Sequence, residues 1–205
     1  MLWPSLRFAA WATALFAAGL LAAREFAGPA RELLQAHAVL GVVAFVATSA
    51  FAVLMPMVSN LPLVPLAVLA WGPWWTALLL LAGWVLGAGA SFMLGRRARG
   101  WIERRLPSVK RHADIDRLID PERRMLSLAL LRATFPVDVL SYALGMFSRS
   151  TTLAQNMAST ALGAAPFALF FAWVPAFDAP LQLAVLAVSV LAFVLHVRWV
   201  LRRRG

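Results

Sequence analysis

The sequence predicts an all-α integral membrane domain: about four spanning helices plus two re-entrant helical hairpins arranged as inverted repeats. Three observations predict it. Of 205 residues, 62% are hydrophobic and 14% charged, whereas soluble domains carry about a quarter charged residues. The stretch from Leu33 to Gly95 holds no Asp, Glu, Lys or Arg, more apolar surface than a soluble core of this size could cover. Two apolar stretches are also interrupted by proline, at Pro56, Pro62 and Pro65 and again at Pro136. Each proline removes a backbone N–H and stops a helix, and broken backbone at membrane depth survives only inside protein or along a watery cavity.

Residues 2–23 read as a helix able to span. Their end, Leu21-Ala22-Ala23, imitates a signal-peptide cleavage site, but the apolar stretch is long and the n-region weakly charged, so a retained helix is expected. Residues 24–35 mix Arg24, Glu25, Arg31 and Glu32 with Phe26, Leu33 and Leu34, as an interfacial helix does. These segments make an N-terminal unit, 1–37.

The central domain, 38–175, opens with an apolar stretch 38–55, three prolines between 56 and 65, and a second arm 66–71. This is the first hairpin, 38–71. Gly72-Pro73 then leads into a span, 74–94. Residues 96–124 hold ten Lys/Arg and five Asp/Glu and read as a loop on the cytoplasmic side. Residues 125–149 are apolar but broken at Pro136, a second hairpin. A span at 151–173 and a tight turn carrying Asp178 lead to the last unit, 181–205, a final span ending in Arg202-Arg203-Arg204.

Charge and parity set the topology. The positive-inside rule puts both the 96–124 loop and the C-terminal arginines in the cytoplasm. Segments 74–94 and 181–200 then run inward and 151–173 runs outward, so 125–149 begins and ends on the cytoplasmic side. If 38–71 is likewise re-entrant, it opens to the other side and the halves are inverted repeats. Paired, proline-interrupted segments of this kind point to a transport site. Residues 38–55 are long enough to span fully, which would flip the N-terminus; the sequence leaves that open.

Two blocks carry a family resemblance. The first is Leu69-Ala70-Trp71-Gly72-Pro73-Trp74-Trp75 followed by Leu81-Ala82-Gly83-Trp84-Val85-Leu86-Gly87-Ala88-Gly89-Ala90-Ser91-Phe92-Met93-Leu94-Gly95-Arg96. The second is Leu131-Arg132-Ala133-Thr134-Phe135-Pro136-Val137-Asp138-Val139-Leu140-Ser141-Tyr142-Ala143-Leu144-Gly145-Met146, with Leu162-Gly163-Ala164-Ala165-Pro166 after it. In order and spacing, over about residues 45–175, they resemble the DedA/VTT superfamily, also called SNARE-associated Golgi proteins. That resemblance implies lipid handling: movement of phospholipids or polyprenyl phosphates between leaflets, in some members driven by the proton gradient, without ordinary enzyme activity. Many members carry acidic residues in the first hairpin. Here the matching stretch, 55–65, has none, and Ser59 and Asn60 are its only polar side chains. A second arginine after the first is also common, and here Asp138 stands nearby instead. Proton-coupling roles of the missing acids therefore do not transfer.

Four residues are candidates for substrate binding. Arg132 has a permanently charged, planar guanidinium suited to bidentate phosphate contact; the alternatives are a structural pair with Asp138 or snorkelling to the inner surface. Asp138 follows the break, so it either caps a half-helix N-terminus or titrates against Arg132 as a gate. Ser59 and Asn60 would line the opposite hairpin tip or simply form its turn. Pro56, Pro62, Pro65 and Pro136 are structural breaks. Gly83, Gly87, Gly89 and Gly145 are helix-packing positions, because small residues let membrane helices approach closely; packing within one chain is favoured over homo-oligomerisation. The acids of the 96–124 loop read as solvated partners of its arginines.

Cysteine is absent and His37, His112 and His196 are scattered, so no metal site, catalytic set or cofactor is expected. The net charge of +10 lies at segment ends, as topology requires, and not in a nucleic-acid-binding face. The expected function is a lipid translocase or scramblase for phosphate-bearing lipids, with proton coupling open, in a bacterial inner membrane with the C-terminus cytoplasmic. The alternatives are a proton-coupled carrier of a small solute or ion, and a non-transporting membrane scaffold.

Overall fold

The computed structural model describes residues 37–55, 58–105, 115–134 and 137–178, together with 25, 28, 180–182, 184, 187 and 188. The expected N-terminal helix, most of the final span, Pro56, Pro136 and the side chain of Asp138 lie outside the described residues.

Helix α1, Ala38–Leu54, is an uncharged, largely apolar run whose backbone bonds internally, as an apolar solvent demands. It stops where Pro56 disfavours helical geometry in the residue before it, and Met55 is extended at φ −113°, ψ 95°. A 3-10 turn, Leu61–Leu63, contains Pro62. Helix α2, Val64–Arg105, is interrupted at Gly72, with φ 77° and ψ 169°. That left-handed φ favours glycine. It divides α2 into a short arm, 64–71, and a long helix, 73–105. Pro65 and Pro73 sit in the first turns of these two pieces, where a missing N–H costs little.

A 3-10 turn, Ile115–Leu118, precedes α3, Arg124–Thr134, α4, Val137–Phe147, and α5, Leu153–Trp173. Thr152 starts α5 with a capping box, Gln155 N–H donating to its Oγ1 at 3.2 Å and its own N–H donating to Gln155 Oε1 at 3.0 Å, which satisfies two otherwise unpaired donors. At about 1.5 Å per residue, α3 and α4 are each roughly 16 Å long and α5 roughly 31 Å. Only α5 and the long piece of α2 match a hydrocarbon layer about 30 Å thick, and these are the two described stretches long and apolar enough to cross a membrane.

The expected span 74–94 is longer than the sequence reading gives it. The helix runs on to Arg105, so the basic residues Arg96 to Arg105 form a helical extension and not the start of a loop. Helix-forming Arg and Ala continue the backbone pattern once the apolar stretch ends.

Helix α2 is the hub, packing on α1, α4 and α5, and α3 packs on α5. The Trp74 and Trp173 rings meet edge to face at 5.4 Å, while Arg96 Nη2 donates to Thr151 O at 2.7 Å. The start of one long helix therefore meets the end of the other, and the two run antiparallel. Glycine makes the close crossings. A Cβ on Gly87 would fall 2.5 Å from Ala50 O, and one on Gly95 would fall 2.6 Å from Tyr142 O.

Candidate functional site

Arg132 lies in the last turn of α3 and is 2% exposed. Its guanidinium spans three helices. Nε donates to Ser159 Oγ at 3.3 Å, Nη1 to Ser141 Oγ at 3.1 Å, and Nη2 to Asn156 O and Oδ1. Ser159 and Asn156 are on α5 and Ser141 is on α4. Asn156 in turn donates through Nδ2 to Ala88 O of α2 at 3.0 Å, so one polar cluster ties α2, α3, α4 and α5. Its position at the C-terminal end of α3 also places the cation where the helix dipole favours it.

The depth of this cluster follows from helix rise. Ala88 is eight residues before Arg96 and Arg132 is eight residues after Arg124, and either path gives about 12 Å from the basic end. Insertion scales put the cost of a charge at the bilayer centre at roughly 3 kcal/mol. Hydrogen bonds to a charged group each contribute about 1.5–3 kcal/mol, so four of them offset that cost. Among the described residues no buried side-chain nitrogen or oxygen lacks a partner.

A second polar cluster lies in the first half of the chain. Asn60, 5% exposed, donates through Nδ2 to Ser49 Oγ at 2.6 Å, and Ser49, fully buried, donates to Phe45 O at 2.7 Å. The two clusters share one packing device. A Cβ on Gly83 would meet the Ser49 Cβ and, at 2.9 Å, Val46 O. A Cβ on Gly163 would meet the Arg132 Cβ at 2.9 Å and Ala129 O at 2.7 Å. In both halves a glycine of the long helix receives residue i of the first arm and the carbonyl of residue i−3. Ser49 is thus the packing counterpart of Arg132, and its polar partner Asn60 comes from the break after α1, whereas Ser141 comes from α4.

Of the candidate residues, Arg132 and Asn60 are buried in these separate clusters. Ser59 is exposed and accepts the Leu61 N–H at 3.4 Å, a turn contact. Asp138 is the second residue of α4. Gly83 and Gly87 pack on α1, Gly89 faces Met157 and Leu153 of α5, and Gly145 crosses the α2 backbone at Phe92 and Arg96. Sequence reasoning missed Ser49, Ser141, Asn156, Ser159 and Thr160. A signal for part of this set existed: Asn156, Ser159, Thr160 and Gly163 recur at i, i+3, i+4 and i+7 on an otherwise apolar helix, one continuous face.

Asp116 also departs from the expectation that the loop acids merely offset nearby arginines. Its carboxylate accepts from Ser148 Oγ at 2.6 Å, the Arg149 N–H at 2.9 Å and Ser150 Oγ at 2.8 Å, clamping the turn between α4 and α5. Burial raises the pKa of its carboxyl, but these hydrogen bonds outweigh burial and hold it below the usual aspartate value.

Tyr142 Oη donates to Leu54 O at 2.9 Å, joining α4 to the end of α1 beside the first break. The two hairpin-like units are therefore in direct contact. Searches of curated proteins and of solved structures find no match for this chain. A family model, the VTT domain, matches residues 39–176, two-thirds of the chain, covering both polar clusters and every crossing described above. The chain belongs to the VTT-domain, or DedA, family of membrane proteins.

Proposed function

We propose that this protein moves phosphate-bearing lipids between the leaflets of a bacterial inner membrane, without catalysing a covalent reaction. The observation that carries this reading is Arg132, an arginine buried about 12 Å along the helices from their basic ends and carried by a helix too short to cross a membrane. In this reading 38–71 and 125–149 are re-entrant hairpins of inverted repeats, with the C-terminus in the cytoplasm and about four spanning helices around them. Arg132 exchanges part of its bonds to Ser141, Ser159 and Asn156 for a headgroup phosphate. Those partners are neutral, so a dianionic or monoanionic phosphate competes for the guanidinium on favourable terms. Asp138, across the break, supplies the carboxylate that releases the phosphate again and the group through which a proton gradient could act. Acyl tails remain in lipid throughout.

One observation favours a non-transporting scaffold instead: Arg132 already donates hydrogen bonds to three side chains and a backbone carbonyl. A lipid flip-flop assay separates the two readings. Proteoliposomes carrying fluorescent phospholipid are bleached from outside with dithionite. Translocation predicts bleaching well beyond half for the wild type and a return to half for Arg132→Ala and Asp138→Ala. Bleaching that stops at half for the wild type, with polyprenyl phosphate under a pH gradient giving the same result, would promote the scaffold.

A further inference from the structure

At the basic end of the long helices lies an open cleft of about 410 Å³. One wall is α2, with Phe92, Met93, Arg96 and Arg97; the other is the turn into α5, with Arg149, Thr151, Thr152 and Leu153, so arginines and apolar side chains lie side by side. Arg96 is fixed in place. It donates to Thr151 O at 2.7 Å and lies 4.9 Å over the Phe92 ring, a cation–π arrangement. Arg97 is exposed and makes no hydrogen bond among the described residues. The turn that brings Arg149 to the cleft is the one clamped by Asp116. Among the described residues no acidic side chain lines the cleft.

We propose that this cleft binds the phosphate headgroup of an anionic membrane lipid, with the first part of its acyl chain against Met93 and Leu153. Charge complementarity selects an anion: three arginines line the cleft with no carboxylate among its described lining residues, and arginine suits phosphate through its planar array of donors. The apolar part of the lining selects a lipid over a soluble anion, because Met93 is 46% exposed at the level where the apolar stretch gives way to arginines. The position gives the site its role. Leu153 is three residues from Asn156 on α5, and Phe92 is four from Ala88 on α2. About one helical turn therefore separates the cleft from the Arg132 cluster along both walls. The cleft is the capture site from which a headgroup reaches Arg132. This capture role rests on the translocase reading; the binding itself does not.

Binding is therefore measured apart from transport. Purified full-length protein in detergent is titrated with phosphatidylglycerol or phosphatidylcholine, and bound lipid is counted by native mass spectrometry. The wild type should retain phosphatidylglycerol preferentially. Arg97→Gln should weaken it about fivefold and Arg97→Gln with Arg149→Gln about twentyfold, following the attraction expected per arginine near an anionic headgroup. Neither variant touches the Arg96–Thr151 bond, so folding should survive. Arg123→Gln with Arg124→Gln removes the same charge outside the cleft and should stay within about twofold. Unchanged binding in the Arg97 and Arg149 variants, an equal loss in the Arg123 and Arg124 control, or displacement by millimolar glycerol phosphate would each overturn the site. Preferential binding beside a failure of wild-type transport would leave the cleft standing and remove the translocase reading.

Discussion

The Ser49–Asn60 and Arg132–Ser141 clusters occupy matching places in the two halves of the chain, yet one is neutral and the other charged. In each, a glycine of a long helix admits the first arm to backbone distance, and a polar residue beyond that arm completes the contact. The packing is the same; the chemistry differs. Ser49 is satisfied within its own half by Phe45 O and Asn60. Arg132 reaches α4 and α5, and through Asn156 its cluster reaches α2. The neutral cluster ties α1 to the break that follows it, whereas the charged one ties four helices through a buried arginine. Under the proposed function, placing a charge in one half gives the paired packing one phosphate-binding position instead of two.

The comparison can be broken most severely at its glycines. Gly163→Leu should be the most damaging change, because Ala129 O and the Arg132 Cβ already lie within 2.9 Å of an added Cβ. Neither is the free end of a flexible side chain. A loss of about 3 kcal/mol or more is expected, read as a large drop in thermal midpoint in detergent. Gly83→Leu should cost a similar amount of stability. The smaller changes discriminate: Gly163→Ala should impair transport by displacing Arg132, while Gly83→Ala should lower stability at unchanged transport per folded molecule.

Arg132→Ser makes the second half resemble the first. The variant should fold, since Ser141, Ser159 and Asn156 can rebond among themselves and Ser159 already donates to Asn156 O at 3.0 Å, but its transport should fall at least tenfold. Asn60→Ala tests the neutral cluster. It should cost about 1 kcal/mol, visible as a modest shift in thermal midpoint, with transport retained.

The smallest effect is that of pH on the Asp116 clamp. A carboxyl whose pKa is lowered on folding contributes stability that is complete above its unfolded value, near 4, and is lost as pH falls through the folded one. Between pH 7 and pH 5 the wild type and Asp116→Asn should therefore differ by a constant amount in thermal midpoint. Below about pH 4 the difference should shrink as Asp116 protonates. A gap that widens on acidification would mean the clamp does not depend on the ionised carboxylate.

Much of this fold is legible in the sequence because lipid leaves few options. Met55 must leave the helix before Pro56, Gly72 before Pro73 marks the kink, and Arg132 stands out because charge is costly in an apolar stretch. The polar partners are harder to read. Ser49, Ser141 and Ser159 are small, tolerated anywhere in a membrane helix, and acquire meaning only when the helices that carry them meet. The face formed by Asn156, Ser159, Thr160 and Gly163 was readable from spacing alone, since polar residues confined to one side of an apolar helix must face protein. The reach of Asp116 to the turn at 148–150 was not, because its partners lie more than thirty residues away and no local pattern encodes the pairing. The extension of α2 to Arg105 shows a further point: an apolar stretch tells where a helix can cross lipid, not where the helix ends.

The most direct test of the central claim compares two headgroups rather than two proteins alone. Fluorescent phosphatidylglycerol and fluorescent glucosylceramide, which lacks a phosphate, are reconstituted separately, and initial rates of inward-leaflet exposure to dithionite are measured for the wild type and Arg132→Ser. The account predicts that the wild type moves the phospholipid at least tenfold faster than the glycolipid and that Arg132→Ser erases this preference. Equal rates for both lipids in the wild type, or a preference that survives Arg132→Ser in folded protein, would contradict the assignment of the phosphate to Arg132.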